Sequence, residues 1–109
     1  MLDAEFERVA ELGDLTEGQP VGVALADGEP ICLVLVGDEV FALADRCSHA
    51  DYPMSDGELV DEYVIECVLH GAQFDIRTGE VVEDPATEAL ALYEVKVDEG
   101  AVWVRRSTS

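Results

Sequence analysis

The sequence predicts an all-β fold, built as an antiparallel β-sandwich or a small barrel. Short apolar runs recur along the chain, and turn signals containing Gly separate them at intervals of about 8–12 residues, as is typical of such folds. Helical signals are nearly absent, since only "LGDLTEG" and "DPATEAL" have the character of a helical turn. At 109 residues, of which 49% are apolar, the chain is predicted to form one domain covering residues 1–109.

Three hairpins follow from the apolar runs. The segment "PVGVALADGEPICLVLV" predicts two strands that turn around residues 27–28, where Asp-Gly is a hairpin signal. The overlapping segment "CLVLVGDEVFALAD" predicts a second turn at residues 37–38. Towards the end, "LALYEVKVDEGAVWVR" alternates apolar and polar side chains and turns at residues 98–100. The final "RRSTS" is predicted to be a frayed tail.

The middle of the chain predicts shorter strands. "EYVIEC" gives one strand, and "AQFDIRTGEVV" gives another that turns at residues 78–79. Cys32, inside the apolar run "PICLVLV", is predicted to be a buried and inert thiol. The aromatic residues within the strand patterns are predicted to belong to the core and to have no further function: Phe6, Phe41, Tyr93 and Trp103.

The charge of the chain argues against two classes of partner. The sequence has 25 acidic and 6 basic residues, a formal net charge of −19, and no Lys or Arg between Val9 and Asp45. Such a surface repels nucleic-acid phosphates and anionic lipid heads, so we expect no nucleic-acid partner and no membrane association. Two interpretations of the charge remain open: solubility, or electrostatic steering toward basic partner proteins.

Three further features predict a cytoplasmic protein. The longest apolar run, "ICLVLV", is far below the roughly 20 residues that a membrane helix needs. The acidic start "MLDAEFERVAEL" has neither the positive leader nor the apolar segment of a secretory signal. Three cysteines cannot all pair within one chain, and no dense disulfide pattern is visible, which favours a reducing compartment.

Two short motifs contain most of the rare residues of the chain. "CSH" places Cys47 two residues before His49, and "CVLH" places Cys67 three residues before His70, with seventeen residues between the motifs. Together they hold both histidines and two of the three cysteines, and each motif follows a predicted strand. Cysteine thiolate and neutral imidazole are ligands for zinc and for iron. The motifs are therefore candidate metal-binding loops.

Three interpretations of the motifs compete. If these were ordinary core cysteines and structural histidines, nothing would explain why each histidine follows a cysteine so closely. A structural zinc module with two cysteines and two histidines is chemically sound, but C-x-H is not the ligand spacing of zinc fingers. The third interpretation is a [2Fe–2S] cluster with two thiolates on one iron and two imidazoles on the other.

The segment "CSHADYPMSDGELVDEYVIECVLHGAQFDIRTGEVVEDPA" resembles the cluster-binding region of Rieske-type [2Fe–2S] ferredoxins. The likeness includes the "FDIRTG" turn and extends over about Phe6 to Val104. It implies the Rieske fold, in which an antiparallel β-sandwich base carries a small cluster-binding subdomain. In this chain that subdomain would be inserted in the base at about residues 45–85.

The resemblance also implies the ligands. Cys47 and Cys67 would bind the buried iron and His49 and His70 the outer iron of one cluster per chain. Pro85 would lie in a loop that covers the cluster. The implied role is electron transfer, so no catalytic residue is expected.

Departures from the high-potential Rieske proteins indicate a low reduction potential. Respiratory-chain members carry two further cysteines, which form a disulfide, where this chain has Tyr52 and Leu69. High-potential members also carry Ser and Tyr, whose hydroxyls donate hydrogen bonds to sulfur, where this chain has Ala72 and Phe74. Fewer donors to the sulfurs, together with a large negative charge, disfavour the addition of an electron.

Low-potential, single-domain members of this family resemble the ferredoxin components of bacterial aromatic ring-hydroxylating dioxygenase systems, of the biphenyl, toluene and carbazole type. The resemblance implies a soluble monomer that takes electrons from an NAD(P)H-dependent flavoprotein reductase and passes them to the Rieske centre of a terminal oxygenase. The chain is not expected to be the oxygenase itself, because that enzyme needs a mononuclear iron site with two further histidines and a carboxylate.

Three alternatives stay open. One is the small Rieske-like subunit of an assimilatory nitrite reductase, although the retention of all four ligands favours the electron carrier. Another is a Rieske protein that serves another oxygenase or iron–sulfur assembly. The last, from a different class, is the structural zinc module, which has no redox role.

Overall fold

The computed structural model describes residues 6–45, 54–66, 73–83 and 91–106. Within these residues the chain forms two antiparallel sheets and two 3₁₀ turns, at Leu12–Asp14 and Met54–Asp56. The described strands are β1 (Glu7–Glu11), β2 (Val21–Ala24), β3 (Pro30–Val36), β4 (Glu39–Ala44), β5 (Glu58–Asp61), β6 (Val64–Glu66), β7 (Gln73–Asp75), β8 (Val81–Glu83), β9 (Leu92–Asp98) and β10 (Ala101–Arg106). The all-β prediction is confirmed.

The larger sheet has six strands in the order β1-β10-β9-β4-β3-β2, and the smaller sheet has four in the order β5-β6-β7-β8. All four strands of the smaller sheet come from the part of the chain between β4 and β9. These two strands are themselves neighbours, with Ala42 opposite Tyr93 and Leu43 opposite Leu92. The chain therefore leaves the larger sheet after β4, forms the smaller sheet, and returns to the larger sheet at the neighbouring strand β9.

The predicted hairpins are present in the larger sheet. Strands β3 and β4 pair from Val36 and Glu39 across a two-residue turn in which Gly37 has a positive φ of 61°. Strands β9 and β10 turn at Glu99 and Gly100, both with positive φ, the conformation that matches the twist of a tight hairpin. The pair β2–β3 is also formed, around the predicted residues 27–28.

Strand β3 explains why the longest apolar run has no alternation. Ile31 and Leu33 pack into one core cluster, together with side chains from β4 and β10. Cys32 and Val34 point the other way, into a second cluster shared with the smaller sheet. A strand that is buried on both faces is apolar at every position. The prediction that Cys32 is buried is confirmed, and burial raises the pKa of its thiol well above the ordinary value.

The second cluster joins the two sheets. Its fully buried members from β3 and β4 contact the side chains of Met54, Ile65, Phe74 and Ile76, which come from the smaller sheet and its flanking turns. Such a shared apolar interface fixes the smaller sheet against the larger one.

Several details differ from the sequence predictions. The tail prediction was wrong for Arg105 and Arg106, which belong to β10 because they pair with Glu94 and Tyr93 of β9. Of the four aromatic residues assigned to the core, Phe6 is buried, whereas Phe41, Tyr93 and Trp103 are only half-buried.

Two strands were not predicted at all, β1 and β5. The helical turn expected in "LGDLTEG" is present as a 3₁₀ turn, and "DPATEAL" lies outside the described residues. In the described part of the chain, no helix has the length and apolar character needed to cross a membrane.

Candidate functional site

The four predicted ligands, Cys47, His49, Cys67 and His70, lie outside the described residues. The structure does describe the residues from which their two segments leave the fold and to which they return. Residues 46–53, the first ligand segment, connect the end of β4 to the 3₁₀ turn at Met54–Asp56. Residues 67–72, the second ligand segment, connect β6 to β7.

The first ligand segment is closed by a side-chain bridge. The backbone N–H of Ser55 donates to Oδ1 of Asp45 at 2.6 Å, and the Ser55 hydroxyl donates to Oδ2 at 2.7 Å. The Asp45 backbone is itself held, because its N–H donates to the carbonyl of Pro30 at 3.1 Å. The residues on either side of the segment are therefore joined to each other and to the larger sheet.

The second ligand segment is closed by strand pairing. Glu66, the last residue of β6, lies opposite Gln73, the first residue of β7. The Gln73 side chain also donates from Nε2 to Oε2 of Glu66 at 3.0 Å. Strands β6 and β7 thus stay in register up to Glu66 and Gln73, the residues on either side of the second ligand segment.

The ends of the two segments are in contact with each other. A Cβ built on Gly57 would lie 2.1 Å from the carbonyl oxygen of Glu66, so only glycine allows the backbone to pass at this distance. The next residue, Glu58, pairs with the same Glu66 across β5 and β6. The return of the first segment therefore contacts the departure of the second.

A third segment leaves from the same edge of the sheet. Glu83, the last residue of β8, lies opposite Gln73. The chain continues from Glu83 into residues 84–90, which contain Pro85 and lie outside the described residues. The second ligand segment and the segment that contains Pro85 thus leave from one end of the four-stranded sheet, whereas the first ligand segment leaves from β4 of the larger sheet and returns just before β5.

The residues of this end fit a [2Fe–2S] cluster of the Rieske type. Two thiolates and two imidazoles on two segments with touching ends are the donor set that such a cluster requires. Met54 and Phe74, close to the points where the chain returns from the two segments, are fully buried in the second core cluster. Around them, Asp56 and Glu58 are exposed, and Glu66 is half-buried beside Gln73.

The residues that close the segments were not predicted as functional. Asp45 and Ser55 are ten positions apart, and nothing in the sequence indicates that their side chains meet. Gly57 offered a weak signal, since a glycine just before a strand often marks a close backbone approach.

Comparison with known proteins gives the family. Residues 5–94 match the Rieske [2Fe–2S] domain, and the chain belongs to that family. It is similar to the 3-phenylpropionate/cinnamic acid dioxygenase ferredoxin subunit of Shigella flexneri serotype 5b (strain 8401), with 39% identity over 94 residues, 85% of this chain and 86% of that protein. This agrees with the resemblance that the motifs indicate.

Solved structures extend the similarity to the fold. The ferredoxin of carbazole 1,9a-dioxygenase from Nocardioides aromaticivorans IC177 has a TM-score of 0.86 and 34% identity, covering 95% of this chain and 100% of that chain. A chain in a complex of reduced oxygenase and oxidized ferredoxin in carbazole 1,9a-dioxygenase has a TM-score of 0.88 and 32% identity, covering 98% and 100%.

A nitrite reductase small subunit is a more distant match. That structure has a TM-score of 0.80 and 25% identity, covering 91% of this chain and 96% of the other. The alternative considered from the sequence therefore has a structural counterpart, at lower identity than the dioxygenase ferredoxins.

Proposed function

We propose that this chain is a single-domain Rieske ferredoxin, an electron carrier rather than a catalyst. It takes single electrons from an NAD(P)H-dependent flavoprotein reductase and passes them to the Rieske centre of a terminal ring-hydroxylating oxygenase. It acts in the cytoplasm as a monomer. The observation that supports this most strongly is the contact between the ends of two segments that each carry one cysteine and one histidine. The similarity to dioxygenase ferredoxin subunits supports the choice of partners.

The proposal assigns the ligands residue by residue. Cys47 and Cys67 bind one iron and His49 and His70 the other, in one cluster per chain. When bound, this cluster accepts and releases one electron. Imidazoles are neutral where thiolates are negative, so replacing two thiolates by two histidines makes the site less negative and reduction easier than in a cluster with four cysteines.

The nitrite reductase subunit remains the second candidate, favoured by one structural match. The dioxygenase ferredoxins match at higher identity and over nearly their whole length. The two candidates differ in behaviour, because an electron carrier works as a separate protein with exchangeable partners, whereas a reductase subunit stays in a permanent complex.

Metal and sulfide analysis of the purified protein tests the cluster. We expect about two irons and two acid-labile sulfides per chain, with reduction by one electron. One zinc and no sulfide would end the proposal in favour of the zinc module. The carrier role is then tested by reduction with NADH and a flavoprotein ferredoxin reductase, followed by reoxidation with a ring-hydroxylating oxygenase. Failure to exchange electrons with either partner would favour the nitrite reductase subunit.

A further inference from the structure

Three elements meet at the closed end of the first ligand segment. Asp45 follows β4, Ser55 lies in the 3₁₀ turn that follows the segment, and Gly22 lies on β2. We propose that the Asp45–Ser55 bridge is a positioning device that holds residues 46–53 in the conformation that binds the cluster. This inference rests on the proposed function, because it assumes that Cys47 and His49 are ligands.

The bridge uses both oxygens of one carboxylate. Oδ1 accepts from the Ser55 backbone N–H and Oδ2 accepts from the Ser55 hydroxyl, at 2.6 and 2.7 Å. Both bonds are short and charge-assisted, and both residues are half-buried, so water competes less for them than at an open surface. Two bonds to one residue also fix the orientation of the side chains, which a single bond would leave free.

The larger sheet leaves room for the bridge. A Cβ built on Gly22 would lie 2.8 Å from the Ser55 hydroxyl oxygen and 3.0 Å from Oδ2 of Asp45. Gly22 does not have a positive φ, so its backbone conformation does not demand glycine. The close approach of the bridge is therefore the structural reason for a glycine in the middle of β2.

The position of the bridge along the chain suits this role. Asp45 precedes Cys47 by two residues, and Ser55 follows His49 by six. Joining the two ends of a short segment removes most of the conformations that its residues would otherwise sample. Both ligands of the first motif lie between the joined ends. A ligand pair that is held in place before the metal arrives loses less entropy on binding and releases iron more slowly.

A different role for Asp45 would be purely electrostatic, with its negative charge lowering the reduction potential. Three variants separate the roles. Asp45→Asn removes the charge but keeps the shape, since Oδ1 still accepts from the Ser55 N–H and Nδ2 can donate to the hydroxyl oxygen. Ser55→Ala keeps the charge and removes one hydrogen bond. Gly22→Ala crowds the bridge while leaving both Asp45 and Ser55 unchanged.

The experiment measures the rate at which an iron chelator removes the cluster from the folded protein, together with the electron paramagnetic resonance spectrum of the reduced form. We expect Ser55→Ala and Gly22→Ala to lose iron about tenfold faster than the wild type, because each weakens one charge-assisted hydrogen bond. Their spectra should also show broader lines than that of the wild type. Asp45→Ala should lose iron at least as fast, and Asp45→Asn should restore slow loss. Thr78→Ala and Gly13→Ala are the matched controls, because the Thr78 hydroxyl accepts from the Glu80 N–H in the β7–β8 turn, away from the bridge, and Gly13 has open space around it.

Each outcome has one meaning. Wild-type rates and spectra for Ser55→Ala would overturn the positioning role. This variant removes only one hydroxyl group, so its result is decisive even if Gly22→Ala does not fold. If Asp45→Asn and Asp45→Ala lost iron at the same rate, the positioning role would also be overturned, and Asp45 would act through its charge alone. A wild-type protein without iron and sulfide would instead contradict the proposed function, and the bridge proposal with it.

Discussion

Phe74 stands at the position where high-potential Rieske proteins carry a tyrosine, and it is fully buried. It lies one residue after Gln73, where the second ligand segment rejoins the sheet. Ala72 stands at the position of the second missing hydroxyl and lies outside the described residues. If lost hydroxyl donors set the potential low, their restoration should raise it.

We therefore expect Ala72→Ser and Phe74→Tyr each to raise the reduction potential. A hydroxyl aimed at sulfur favours the reduced, more negative cluster by about 1 kcal/mol, which for a one-electron couple is about 40 mV. Protein-film voltammetry measures the shift. Because Phe74 has no exposed surface, Phe74→Tyr must also be checked by thermal unfolding, and Ala72→Ser provides the result if the tyrosine does not fit. Shifts of a few millivolts, or downward shifts, would assign the low potential to charge or solvent exposure instead.

Asp75 and Arg77 form the ion pair that closes the β7–β8 turn. Nη2 of Arg77 donates to Oδ2 of Asp75 at 3.0 Å, Nε donates to Oδ1 at 3.2 Å, and the guanidinium lies 4.3 Å from the centre of the Tyr63 ring. The side-chain hydrogen bonds from Arg77 are the main reason that the pKa of Asp75 is below its ordinary value, and they outweigh burial, which acts in the opposite direction.

The sign of the pH effect follows from this lowered pKa. The stabilisation is complete above the unfolded-state pKa of about 3.9 and is lost as the pH falls through the lower, folded-state pKa. We expect Arg77→Gln to lower the urea midpoint near neutral pH, and the difference from wild type to shrink below about pH 4. Repeating the change in an Asp75→Asn background should remove the pH-dependent part and leave the contact with Tyr63. A difference that stays constant from pH 7 to pH 3 would show that the Asp75 carboxylate is not involved.

At the scale of whole elements, the contact between Gly57 and Glu66 joins the return of the first ligand segment to the start of the second. In Gly57→Ala the new methyl would lie 2.1 Å from a backbone oxygen, which cannot move away as a flexible side chain could. We expect a loss of about 1–3 kcal/mol in the free energy of unfolding, and lower iron content in the purified protein. Urea unfolding and iron analysis are the measurements. Gly13→Ala is the control, since no atom lies within 4 Å of its new methyl. Equal effects of the two variants would contradict the role of this contact.

The elements that the sequence predicted well are those with a strong local signal. The hairpins of the larger sheet combine apolar runs with glycines of positive φ at their turns. Strand β1 was missed because all of its side chains are exposed or half-buried without strict alternation, and a bulge interrupts its pairing with β10. Strand β5, with one half-buried side chain among four, gave equally little signal.

The candidate site, like the fold, has features that the sequence predicts and features that it does not. The candidate ligand motifs stand out because cysteine and histidine are rare and their spacing is informative, and the strands before them end within one residue of the predicted ends, at Ala44 and Glu66. The contacts that close the segments could not be found. The Asp45–Ser55 bridge and the Gly57–Glu66 contact depend on how two sheets pack, and neither residue type nor spacing reveals that packing.

At the scale of the molecule, the charges are unevenly distributed over the residues that the structure describes. Near the ends of the ligand segments, Asp56 and Glu58 are exposed. Of the basic residues whose side chains the structure describes, Arg8, Lys96 and Arg105 lie on β1, β9 and β10 of the larger sheet. Arg77 lies at the β7–β8 turn, at the other end of β7 from the ligand segments. The described surface closest to the candidate cluster is therefore acidic, which suits a partner with a basic docking face.

This distribution makes the two interpretations of the net charge separable. If the charge steers docking, the rate of electron transfer with the reductase or the oxygenase should fall as salt is added, because the screening length shortens to about 10 Å at 0.1 M. Neutralising the pair near the segments, in Asp56→Asn with Glu58→Gln, should lower the rate at low salt severalfold and flatten its salt dependence. The double variant Asp38→Asn with Glu39→Gln neutralises the exposed pair at the β3–β4 turn. It removes the same charge at the opposite end of β4 from the first ligand segment, and it should change neither the rate nor its salt dependence. Stopped-flow mixing of the reduced protein with its partner, over a series of ionic strengths, measures both quantities. If both double variants lower the rate equally, only net charge matters; if the wild-type rate is flat with salt, the charge serves solubility alone.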